Sequence, residues 1–336
     1  MSSQPSYDFS TKQSVLTIKG VVPAPLLAPF NAKAKRYMQE NLELPGFRKG
    51  KVPEDVFNKH VTPFLVASEG AELFFKESYP AIVTLSKKNV VGRPSIKIEK
   101  LAPDNPLEFT IDVDIMPEFD LPDYKKVVKG IEREDAASLT ATPEEIETTI
   151  KDLAVMALGK DVEYTPDKLT LDLVQKFGPF ETIDAFKAKI TETIVEDKKR
   201  KSIDSRRLKM LAALRDATPM IVPQALIDNE TDRMLFELEQ ELEKMKLTKK
   251  GYLEQIKKTE EELRKEWSER AKERVATELL IDAISIKEKI APEDKEVTHE
   301  VEHMLHHHPK LEKERVEDYV RTQMRRQKTL EMLEQA

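Results

Sequence analysis

From Thr182 to the end of the chain, apolar residues recur every three or four positions with little to interrupt them, and this restricts the possible folds more than any other feature. Phe186, Ile190 and Ile194 begin the pattern, which continues through the basic turn Lys198-Lys199-Arg200-Lys201 to about Asp216. Pro223 opens a second long helix, carrying Ile227, Met234, Leu235, Leu238, Leu242 and Met245. After Gly251 and a short helix, Thr259-Glu260-Glu261-Glu262 reads as a capping box. It launches a helix with Leu263, Trp267, Ala271, Val275 and Leu279 on one stripe, stopped by Pro292. Two shorter helices are expected over 293–308 and 311–333. Narrow stripes on long helices predict arms and hairpins around a modest core, not a barrel or a doubly wound sheet.

Composition agrees. Charged residues make up 35% of the 336, aromatics only 6%, and there are 9 glycines, a balance suited to solvated helices. There is no cysteine, which excludes disulfides, thiolate nucleophiles and Cys-ligated zinc. The N-terminal MSSQPSYDFSTKQ has no basic stretch followed by an apolar one, and no run of 18 apolar residues occurs. A soluble, cytoplasmic protein without membrane contact is expected.

The first third reads differently. Val15–Val22 predicts a strand and 23–41 a helix with Leu26, Leu27, Phe30, Ala34 and Tyr37 on one side. Pro53 opens a short helix, 62–79 is a longer one, and 94–99 and 107–115 alternate as half-buried strands. This is a small α+β domain. Pro117–Tyr124 is a proline-punctuated connector, and Thr142-Pro143-Glu144-Glu145 starts a helix running to about Leu158. The expected division is therefore 1–118, an extended linker with one helix over 119–165, and a helical domain over 166–336. Through residue 118 there are 15 Lys+Arg against 14 Asp+Glu, and beyond it 40 against 48. The N-terminal part is thus the better suited to approach a polyanion.

One enzyme motif invites attention. His299-Glu300-Val301-Glu302-His303 matches the zinc-protease pattern H-E-x-x-H. Its helix, however, turns Val297, Val301 and Leu305 inward, which leaves both histidines on the solvated side without a cleft. The protease reading is rejected; His303 and His307, one turn apart, suit only weak adventitious metal binding. No nucleophile elbow, P-loop or dinucleotide fingerprint occurs, so no catalytic residue, resident metal or cofactor is expected.

The segment Leu44-Pro45-Gly46-Phe47-Arg48-Lys49-Gly50-Lys51-Val52-Pro53 has no acid in ten positions. A turn explains its prolines and glycines. It does not explain an aromatic beside cations, a combination suited to a surface that mixes RNA phosphates with protein. Gly46–Pro53 resembles the ribosome-docking signature of the trigger factor family, the bacterial nascent-chain chaperones. The stretch 221–235, from Ile221-Val222-Pro223 to Met234-Leu235, and Lys258–Arg264 resemble parts of that family's C-terminal arm. The likeness covers most of 10–118 and 166–336.

The resemblance implies an α+β ribosome-binding domain followed by an extended, mostly α-helical, SurA-like chaperone domain with long arms. Gly46, Phe47, Arg48, Lys49, Gly50 and Lys51 would dock at the tunnel exit against a ribosomal protein and rRNA. The helices would form a cradle for unfolded nascent polypeptides, its lining residues unassigned; Met234, Met245, Met304, Met324 and Met332 suit an adaptable face. A homodimer off the ribosome is left open. The family's FKBP-like peptidyl-prolyl isomerase domain has no room, since about ten residues separate the helix ending near Gly159 from Leu169, where the arm resemblance resumes. The expectation is an ATP-independent chaperone without that activity. The alternatives are a prolyl isomerase with another site, a ribosome-independent holdase, and a plain RNA-binding factor; the last predicts further basic patches with aromatics, and Lys198–Lys201 has none.

Overall fold

The computed structural model describes residues 4–45, 47–132, 136–159 and 164–335. In chain order the first elements are β1 (Ser6–Lys12), β2 (Val15–Val22), α1 (Ala24–Asn41), α2 (Glu54–His60), α3 (Pro63–Ser86), β3 (Val90–Lys100) and β4 (Leu107–Ile115). Then follow α4 (Tyr124–Lys129), α5 (Pro143–Leu158), α6 (Leu171–Val174), α7 (Ile183–Asp216), α8 (Gln224–Lys244), α9 (Lys249–Ile256), α10 (Glu260–Lys287), α11 (Asp294–His307) and α12 (Lys313–Gln335).

The strands form an antiparallel sheet in the order β1-β2-β4-β3. Leu107, Phe109, Ile111, Val113 and Ile115 of β4 alternate inward and are buried, opposite Leu16, Ile18 and Val22 of β2. Helices α1 and α3 cover this face with Leu27, Phe74, Phe75 and Ile82. Phe75 meets Phe109 edge to face, with ring centroids 4.8 Å apart. Such aromatic pairs add to area burial, and here they fix where α3 crosses the sheet.

Three details depart from the sequence expectation. β1 was not foreseen, because it is a polar edge strand with one neighbour and its turn has no glycine: Gln13 itself takes the left-handed conformation, φ 55°. Helix α3 runs seven residues beyond 79, with Pro80 inside it. The connector is not simply extended. Asp123 accepts from the Lys126 amide and starts α4, whose Tyr124 and Val128 are buried. The expected caps at Thr142–Glu145 and Thr259–Glu262 both form, each hydroxyl accepting an amide and each carboxylate reaching back.

The chain divides into two compact units, 1–119 with 219–278, and 120–218 with 279–336. The division expected from sequence, at 118 and 165, followed chain order, whereas each compact unit takes two separate lengths of chain. In the first unit the sheet is joined by α8, α9 and the first part of α10. The backbone amide of Ala225, at the start of α8, donates to Asp114 Oδ2 on β4 at 2.7 Å. Between α8 and α10, the buried Glu230 accepts from Arg274 at 3.2 Å and lies 2.6 Å from Arg233.

In the second unit Phe186 of α7 stacks on Phe177 with centroids 5.7 Å apart, beside the buried Ile150 and Val174. Asp282 in the last turns of α10 takes a bidentate pair from Arg326, at 2.9 and 2.7 Å. Helices α11 and α12 form a hairpin around Val297, Val301, Val316 and Val320.

Candidate functional site

The cationic segment lies between the end of α1 and the start of α2. Its shape comes from two consecutive turns. The Phe47 amide donates to the Leu44 carbonyl at 3.1 Å, and the Lys51 amide donates to the Arg48 carbonyl at 2.9 Å. Gly50 is the third residue of the second turn, with φ +72°, a value a turn of this kind demands and glycine takes without strain. A Cβ there would lie 3.4 Å from the Glu40 carbonyl oxygen, so the tip is also folded close against α1. Pro53 occupies the cap position of α2 and stiffens the exit.

Phe47 is 41% exposed, and Arg48, Lys49 and Lys51 are exposed around it. Lys49 is 3.6 Å from Glu43, both of them exposed, a pairing of little energetic consequence. Among the described residues neither Arg48 nor Lys51 is paired with a carboxylate. The second basic run behaves differently: Lys198 pairs with Glu145 at 2.7 Å, and Asp197 holds both Arg200 and Lys201. Three of the four cations in the α7 run thus face carboxylates, whereas Arg48 and Lys51 of the loop do not among the described residues. Of the six residues singled out from sequence, Phe47, Arg48, Lys49, Gly50 and Lys51 come together on this tip; Gly46 lies outside the described residues.

His299, Glu300 and His303 are exposed on α11, while Val297 and Val301 on the opposite side are buried. Among the described residues no three His, Asp or Glu side chains gather to hold a metal ion.

The methionines separate by environment. Met234 is buried in the first unit and Met245 is 61% exposed. Met304 and Met324 flank the α11–α12 core and line a groove of about 700 Å³ with Tyr319, Glu296, Glu300 and Lys328. Tyr319 is 55% exposed and was not singled out from sequence. It lies within one helix, and a lone aromatic among charges gives no periodic signal.

Among the described residues no helix is long and apolar enough to cross a membrane. Comparison with known proteins identifies the chain at both ends. Residues 9–153 match the family model described as "Bacterial trigger factor protein (TF)", and residues 182–335 match that of "Bacterial trigger factor protein (TF) C-terminus". Curated relatives bear the name trigger factor. That of Shouchella clausii is 24% identical, covering 81% of this chain and 82% of its own. That of Geobacillus kaustophilus is 26% identical, covering 79% and 82%, and that of Clostridioides difficile 23%, covering 90% and 92%. These alignments run over 365, 355 and 393 residues against the 336 here, so each relative holds sequence without a counterpart in this chain. A solved structure described as "Promiscuous Substrate Recognition in Folding and Assembly Activities of the Trigger Factor Chaperone" has a TM-score of 0.57 at 17% identity. It covers 98% of this chain and 99% of its own, a likeness of fold. With both family models matched and the α+β-then-helical architecture in place, the chain belongs to the trigger factor family.

Proposed function

We propose that this protein is an ATP-independent, cytoplasmic chaperone that docks on the ribosome through the loop at residues 46–51 and holds nascent polypeptides on its helical part. The observation that carries the reading is the loop: a half-exposed aromatic beside Arg48 and Lys51, neither of them paired with a carboxylate among the described residues, on a tip shaped by Gly50. Arg48 and Lys51 supply charge for rRNA phosphate, and Phe47 supplies an apolar contact for a tunnel-exit ribosomal protein. The two family matches leave only residues 154–181 between them, which supports a form without the isomerase domain. Client release then rests on weak, reversible contacts. Partly apolar, adaptable surfaces such as the Met304/Met324 groove suit varied clients.

The test is co-sedimentation with bacterial ribosomes of the wild type and Phe47→Ala/Arg48→Ala/Lys49→Ala. The wild type is expected to pellet and the folded triple variant to stay in solution; equal pelleting removes the loop from the mechanism. A proline-peptide isomerisation assay is expected to show no rate above the uncatalysed one, and acceleration would restore the enzyme reading.

A further inference from the structure

We propose that His303 and His307 form a two-imidazole chelate for one divalent transition-metal ion of the Ni2+ and Cu2+ class at the C-terminal turn of α11. The two rings are one helical turn apart, with centroids separated by 4.8 Å and planes inclined at 70°. An imidazole nitrogen sits about 2.0–2.1 Å from a bound ion, which places the ring centroid roughly 3.2 Å from the metal. Two such rings 4.8 Å apart subtend an angle of about 97° at the ion when a nitrogen of each faces it. That is close to the ~90° between adjacent positions of the tetragonal geometry these two ions prefer with nitrogen and oxygen ligands. Water would complete the coordination sphere.

The surroundings favour the same pair. Both rings are exposed, and the apolar side of α11 is turned into the hairpin core, so nothing needs to unpack for an ion to enter. The site lies in the last turn, since α11 ends at His307 and the His308 amide closes it on the Met304 carbonyl at 2.9 Å. Unpaired carbonyls there present the negative end of the helix to a cation. His306 also approaches His307, at 5.4 Å, but by the same construction those rings subtend about 115° at an ion, well away from the ~90° of a tetragonal site. His299 and His307 are eight residues apart, about 12 Å along the axis, too far to share an ion. The consequence is mechanical: an ion bridging 303 and 307 clamps the end of α11, and binding to the folded state alone raises its stability. This inference is independent of the ribosome-docking reading.

The experiment is calorimetric titration of the untagged full chain with Ni2+, for the wild type and the variants His303→Ala, His307→Ala, His299→Ala and His306→Ala. One ion per chain is expected. Affinity should fall tenfold or more when either His303 or His307 is lost, and change less than about threefold at His299 or His306. The thermal midpoint of the wild type should rise with Ni2+ and that of His307→Ala should not; circular dichroism confirms that each variant keeps its helices. Wild-type binding by either the 303 or the 307 variant overturns the proposal. So does an equal loss at His299 or His306, or a wild-type midpoint that Ni2+ leaves unmoved.

Discussion

Asp114 and Ala225 are 111 residues apart in sequence, yet the carboxylate of one accepts from the amide of the other in the first turn of α8, at 2.7 Å. The first amides of a helix have no partner within it, and an anion there meets both an unsatisfied donor and the positive end of the dipole. Gly92 makes the approach possible: its φ is +74°, and a Cβ on it would lie 2.4 Å from that of Ala225. Asp114→Ala is expected to cost about 1 kcal/mol. Gly92→Ala should cost more, about 2 kcal/mol, by adding a left-handed strain to a clash. Denaturant unfolding measures both, and an Asp114→Ala variant as stable as the wild type would show that the cap contributes nothing.

Glu230 is buried between Arg233 and Arg274, both of them partly open to water. Removing the carboxylate leaves two guanidiniums facing each other, whereas removing either arginine leaves the other in place. Glu230→Ala is therefore expected to destabilise by about 2 kcal/mol, below the range for fully buried pairs because the arginines are solvated. Arg233→Ala should cost less than half of that. Comparable losses in equilibrium unfolding would mean that the two arginines act as one unit.

The docking tip makes separable predictions for its cations and its aromatic. On ribosomes, Arg48→Ala should lower the slope of log affinity against log salt by about 0.7–0.9, the amount for one lost phosphate contact. Phe47→Ala should weaken binding by the same factor at every salt concentration. A Phe47→Ala variant with an altered slope would contradict this assignment of roles.

Gly50 at φ +72° can be tested by substitution. Gly50→Ala should distort the tip and weaken ribosome binding, while Gly50→Asn, which enters the left-handed region more readily, should retain more of it. Sedimentation of the two variants side by side decides the matter; equal retention would detach docking from tip shape.

At high pH the connector helix becomes the sensitive point. Burial, then the hydrogen bond and charge of Glu288 at 2.6 Å, push the Tyr124 phenol up from 10.0 to about 12. The fold prefers the neutral phenol, so its contribution is fully present below pH 10 and lost as pH rises through about 12. Below pH 10, Tyr124→Phe should cost about 1 kcal/mol, the worth of one hydrogen bond. An ultraviolet difference titration, wild type minus Tyr124→Phe, should show a tyrosine ionising near pH 12; a component near pH 10 would refute the interaction.

Much of the local structure was legible because its causes are local. Thr142 with Glu145, and Thr259 with Glu262, carry their caps within four residues, and Val297 and Val301 declare an inward side by spacing alone. The candidate loop was legible for a similar reason, since Gly50 and Pro53 set its shape within a few residues of Phe47. β1 was not, because an edge strand buries too little to need alternating apolar residues. Nor was α4, a six-residue helix too short for periodicity to register.

The sequence by itself thus determined the longer helices, their caps, the alternation of the half-buried strands and the cationic tip, all of which follow from the spacing and chemistry of near neighbours. Tertiary structure alone decided which lengths of chain share a compact unit, and which charges remain available. An amphipathic stripe says that α8 must bury one side, not that Asp114 receives an amide of its first turn. A count of lysines and arginines does not say that Glu145, on α5, occupies Lys198 of α7 while Arg48 and Lys51 stay unpaired among the described residues. Those outcomes depend on pairs far apart in the chain, whose approach is fixed only when the whole packs.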